Sequence, residues 1–146
     1  MTRTWTQILA MAVGLACPVT SLRASNDAAA DWRGIVELDA GPKTRPTSQT
    51  EARSAAVGHV AKQEKALRGF LAEHGSDEHA FEAKLRLARV LQLRAGLEEN
   101  EGLRKEAKKI LDDLAGTAPS DKRVEVDFAR IAFQMRAMRT GSCSVP

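Results

Sequence analysis

Between His79 and Gly96 apolar residues recur so densely that a helix drawn through them needs neighbours on more than one side. At about 100° per residue, Ala80, Phe81, Ala83, Leu87, Ala88, Val90 and Leu91 cover about half of the circumference. A narrower strip of His79, Glu82, Arg86 and Arg89 is left for solvent. The apolar arc is wider than the stripe of an ordinary surface helix, which predicts one helix before it and one after it to share its burial.

The flanking sequence supplies those helices and a fourth. Ser48 and Glu51 have the spacing of a capping box, in which a hydroxyl and a carboxylate each satisfy a backbone N–H at a helix start. From there Ala52, Ala56, Val60, Gln63, Leu67, Phe70 and Leu71 recur at helical spacing as far as His74, and Gly75 is a stop residue. Ser76 or Asp77 then reads as the cap of the central helix, Gly96 as its end and Leu97 to Gly102 as an acidic turn. A third helix follows from about Leu103, with Leu103, Ala107, Ile110, Leu111 and Leu114 as its stripe, closed by Gly116 and Pro119. Ser120 or Asp121 opens a fourth, carrying Val124, Phe128, Ile131, Ala132, Met135 and Met138 up to Thr140. No segment alternates with a period of two, so the expected fold is all-α, an antiparallel helix-turn-helix array of about four helices over residues 48–139.

Upstream the pattern changes. Ile8 to Ala16 is apolar without interruption after an opening whose one charge is Arg3. This run is far short of the roughly 20 residues a membrane span needs and has the layout of a signal peptide, expected over residues 1–24. Two processing sites fit. Gly14-Leu15-Ala16 before Cys17 resembles a bacterial lipoprotein signal, which would lipidate Cys17; ordinary cleavage after Ala24 is the alternative. Residues 25–47 read as a flexible arm with one short helix around Ala28 to Leu38, in which Trp32 is the residue expected to dock. Residues 140–146, with Cys143, read as a disordered tail.

Export changes the charge argument. The formal charge is +3, and removal of residues 1–24 takes away Arg3 and Arg23 and no acid, leaving +1. Both signs are intermixed and tyrosine is absent, so neither the one-signed field nor the stacking platforms of a nucleic-acid binder are present. Cys17 and Cys143 are the only cysteines and form no CxxC, which excludes a redox couple or zinc knuckle of that type.

The densest polar group is Glu73, His74, Asp77, Glu78, His79 and Glu82, but HExxH is absent and acids at a helix start are expected for capping alone, so no metal is assigned. Glu98, Glu99 and Glu101 with Asp112 and Asp113 lack the calcium-loop spacing and read as solvated acids, and His59 reads as an edge residue of its helix. No nucleophile motif or phosphate-cradling loop occurs. The expectation is a protein with no cofactor and no catalysis.

Ala107, Leu111, Leu114 and Pro119 are spaced by four, three and five residues, and this resembles the second helix of a tetratricopeptide repeat. Ala66 and Phe70 repeat the first step, and Leu87-Ala88 with Leu91 is similar to the first-helix signature. The run from Ala66 to Leu91 also resembles the helix-turn-helix units of bacterial outer-membrane assembly lipoproteins. The resemblance covers residues 49–139 as about two repeats, and it implies a scaffold in the cell envelope that binds another protein or peptide segment. Such repeats bury their faces on their neighbours, and the last helix has none following it. Phe128, Ile131, Met135 and Met138 are therefore the expected partner-binding residues, for an amphipathic or extended segment or for self-association. The alternative reading is the helical N-terminal part of an exported enzyme, such as a thioredoxin-like thiol-disulfide protein.

Overall fold

The computed structural model describes residues 20–42 and 46–139, with side chains placed for 27–42 and 46–138. It contains five helices, α1 (Thr20–Leu38), α2 (Gln49–Glu73), α3 (Ala80–Glu98), α4 (Glu101–Thr117) and α5 (Arg123–Arg139), and no strand among the described residues. The all-α expectation holds. Cys17, most of the expected signal peptide and the tail with Cys143 lie outside the described residues.

Local chemistry sets the helix boundaries. The Ser48 hydroxyl accepts from the Glu51 N–H at 3.2 Å, while the Glu51 carboxylate turns back to the N–H and hydroxyl of Thr47 at 2.8 and 2.7 Å. The capping box is thus present, with its return bond displaced by one residue. Asp77 does not begin α3 as expected. Its carboxylate accepts from the N–H and Nδ1 of His79 at 2.9 and 2.8 Å, which holds residues 74–79 as a compact turn and delays the helix to Ala80. Gly75 is needed in that turn, because a Cβ there would lie 2.8 Å from the Leu71 carbonyl oxygen.

The acidic turn expected over Leu97 to Gly102 shrinks to Glu99 and Asn100. Glu99 takes the left-handed conformation, with φ of 55°, and the Asn100 side chain accepts from the N–H groups of Gly102 and Leu103 at 2.9 and 3.2 Å. That cap lets α4 begin two residues before Leu103 and leaves Gly96 inside α3.

The short helix expected around Ala28 to Leu38 extends back to Thr20 and is docked. Ala28 and Ile35 are buried, and the Trp32 ring packs on Phe70 of α2, tilted by 50° with centroids 5.4 Å apart. The arm is therefore part of the folded body over this stretch, and the expected cut after Ala24 falls within α1.

Pairings give the helix directions. Asp31 meets His74, and Leu38 meets Gln63, so α1 and α2 run antiparallel. Arg53 at the start of α2 reaches the Leu97 carbonyl at the end of α3, a second antiparallel pair. Arg86 binds Asp39 just beyond α1, and Arg89 and Gln92 of α3 reach Glu125 and the Phe133 carbonyl of α5. Odd-numbered helices therefore run in one direction and even-numbered ones return between them.

The core is centred on α3, where Ala83, Leu85, Ala88 and Leu91 are fully or almost fully buried against Leu67 and Phe70 of α2 and Ala107, Leu111 and Leu114 of α4. The strip of α3 assigned to solvent is in fact occupied. Arg86 lies 4.9 Å over the Trp32 ring while pairing with Asp39 and Glu82, and Arg89 pairs with Glu125 at 3.5 Å. Long cationic side chains bridge to α1 and α5 by their heads while their stems cover apolar surface.

Candidate interaction surface

α5 carries two opposed faces. At about 100° per residue, Val126, Ala129 and Phe133 share one side of the helix, and all three are buried against the core. Val124, Phe128, Ile131, Met135 and Met138 lie within about 80° of arc on the other side. Those five are 65, 70, 54, 55 and 61% exposed. A scattered apolar residue on a surface is ordinary, but five aligned on one helix form a contiguous patch of the kind that marks a docking site.

The four residues expected to meet a partner are thus brought together, and Val124 extends their row by one turn. The sequence stripe had grouped Ala132 with them and had left out the inner face. Val126, Ala129 and Phe133 carry the attachment of α5 to the body, and the signal for them was available in the same 3.6-residue period.

Beside this face a cleft of about 350 Å³ opens between α4 and α5, floored by Leu111, Phe133 and Ala137. Its charged walls carry four bases, Arg104, Lys105, Lys108 and Arg130, against the acids Glu101 and Asp112: Lys108 binds Asp112 at 2.6 Å, Arg130 lies 3.6 Å from the same carboxylate, and Glu101 takes Arg104.

In the polar group at the α2–α3 turn, Asp77 pairs with His79 and His74 reaches outward to α1. Asp77 is held below the usual carboxylate range, first by the His79 N–H and then by the His79 ring. His74 Nε2 stands 3.1 Å from Asp31 of α1, a partner 43 residues away that local spacing gives no means of finding. Asp31, Glu73 and His74 bring ligand-type atoms within 4.8 Å of one another, with both carboxylates exposed. The Asp31–His74 contact ties α1 to α2. Glu98 of the acidic turn likewise belongs to Arg94 at 2.8 Å.

Glu64 is the buried charged residue among those described. Burial pushes its carboxyl upward, but hydrogen bonds and charge from Arg94 and Arg68 outweigh that and hold it below its ordinary value. Arg68 continues to Glu106 of α4 at 2.8 Å, so one ionic chain crosses α3, α2 and α4.

No protein-family model, curated protein or solved structure matches this chain.

Proposed function

We propose that this chain is an exported, tetratricopeptide-like protein–protein interaction module of the bacterial cell envelope, with no catalysis of its own. The observation that carries the reading is the outer face of α5, where five large apolar side chains remain open on a helix whose opposite face completes the core. The alternation of helix direction supports the repeat reading, as does the burial of the small residues Ala88 and Ala107 beside Leu87, Leu91, Leu111 and Leu114. In such arrays small positions let helix axes approach while large ones fill the groove between them. Export is supported by the Ile8 to Ala16 run, and no described helix is long and apolar enough to cross a membrane.

The test is affinity capture of the C-terminally tagged full chain from detergent-solubilised envelopes, with mass spectrometry of the mature N-terminus and of everything that co-purifies. The reading expects a stoichiometric protein, another copy of the chain included, that is lost in Ile131→Asp, and a processed N-terminus at lipidated Cys17 or at Ser25. An unprocessed Met1, or the same set of proteins captured with Ile131→Asp, would overturn it.

A further inference from the structure

The spacing along the outer face of α5 goes beyond simple apolarity. Val124, Phe128, Ile131, Met135 and Met138 follow one another at intervals of four, three, four and three residues. That is the seam of two helices packed side by side, in which each large residue fits a hole on the facing helix. The face thus asks for one more helix with the same spacing, and α5 of another copy has it.

We infer that the occupant of this face is a second copy of the chain, with the two α5 helices packed antiparallel about a two-fold axis beside Ala132; this rests on the reading of α5 as the docking face. Charge sets the direction. The acids of α5, Glu125 and Asp127, both lie in its first half together with Arg123 and Arg130, whereas its second half carries Arg136 and Arg139 and no acid. A parallel mate would set the two second halves, each with two bases and no acid, against each other. An antiparallel mate sets the half that holds both acids against the half that holds none, and positions 125 and 139 face each other because they stand equally far on either side of Ala132. Glu125 is half-exposed, and the 3.5 Å that separates it from Arg89 is long for an ion pair. Ala132 is exposed, and its small side chain lets the two axes come close beside the dyad.

Direction and area agree with the fold. α4 and α5 already pack antiparallel, with Arg104 near the start of α4 lining one cavity with Arg136 and Ala137 near the end of α5 and Asp112 meeting Arg130 midway, so an antiparallel mate continues the alternation of the array. Five side chains of roughly 150–200 Å² each, at the exposures given above, present about 550 Å² per chain. Two copies then remove about 1,100 Å² from water, just past the area of about 1,000 Å² that separates a specific interface from a chance contact. The inferred dimer is accordingly of modest, reversible affinity.

Sedimentation velocity on the full chain purified from the envelope, over a concentration series reaching about 100 μM, tests this. The expected result is a monomer–dimer equilibrium that Ile131→Asp abolishes with helicity retained; should that variant lose helicity, Met135→Lys takes its place. Glu125→Arg is expected to weaken the dimer by about tenfold, and Arg139→Glu added to it to restore most of the loss. A chain that stays monomeric to the top of the series overturns the second copy while leaving the docking face to the capture experiment. A dimer indifferent to Ile131→Asp and Met135→Lys overturns both. A dimer lost in those variants but indifferent to Glu125→Arg overturns the antiparallel register.

Discussion

Arg94 Nη1 of α3 donates to Glu64 Oε2 of α2 at 2.7 Å, and Arg68 Nε meets the other oxygen of that carboxylate at 2.8 Å. A nearly buried anion is thereby enclosed by two guanidinium groups, one from its own helix and one from the neighbour. Removing one partner strands charge in a site that water scarcely reaches. Arg94 is itself 29% exposed, so its loss costs less than the roughly 3–5 kcal/mol of a fully buried pair. Arg94→Met is expected to lower stability by about 2 kcal/mol, read as a lower urea midpoint at unchanged slope.

The same carboxylate gives the fold a pH dependence of known sign. Because the folded pKa of Glu64 lies below its ordinary value of 4.5, its contribution is fully present above that pH. It is lost as the pH falls through the folded value. Urea midpoints measured from neutrality downward are expected to hold to about pH 5 and then decline, with a shallower decline in Glu64→Gln. Equal acid sensitivity in both proteins would assign the effect to other carboxylates, Asp77 first among them.

Leu85 is completely buried although Lys84 and Arg86 flank it. Leu85→Ala leaves a cavity beside the second turn of α3 and is expected to cost about 3 kcal/mol by urea unfolding. A cost below about 1 kcal/mol would mean that the centre of the array collapses freely around the gap.

Trp32 touches Phe70, lies 4.6 Å from the His79 ring and sits under Arg86, so one side chain holds α1 against two neighbours. Trp32→Ala is expected to speed amide exchange through Ala28–Leu38 by about tenfold or more while α3 and α4 keep their protection. Uniform loss of protection along the chain would instead make α1 part of one cooperative unit.

The helical body was readable because its dominant signal is local. The Ser48 cap, the stop at Gly75 and the stripe of α4 depend on neighbours within a turn or two. α1 was harder to read: its buried residues are Ala28 and Ile35, and the contacts that dock it, Trp32 on Phe70 and Asp31 on His74, span roughly 40 residues of chain. The polar strip of α3 misled for a related reason. Arg86 and Arg89 look solvated by type, and only the arrival of α1 and α5 converts them into bridges. The length of the α3–α4 turn depended on Glu99 adopting a left-handed conformation, which is uncommon for a residue with a side chain. On α5 the outer stripe was the louder of two apolar faces, because the inner one includes the small residue Ala129.

The division of α5 into an attaching face and a docking face is tested most directly by one pair of variants, Val126→Asp and Ile131→Asp. Their thermal unfolding is compared at submicromolar concentration, so that association adds nothing to either. A charge at Val126, which is 1% exposed, is expected to cost more than about 3 kcal/mol and to release α5 from the body. At Ile131 the expected change is about 0.5 kcal/mol or less, with association abolished at higher concentration. If Ile131→Asp unfolds the protein as readily as Val126→Asp does, the outer stripe is core and the docking surface does not exist.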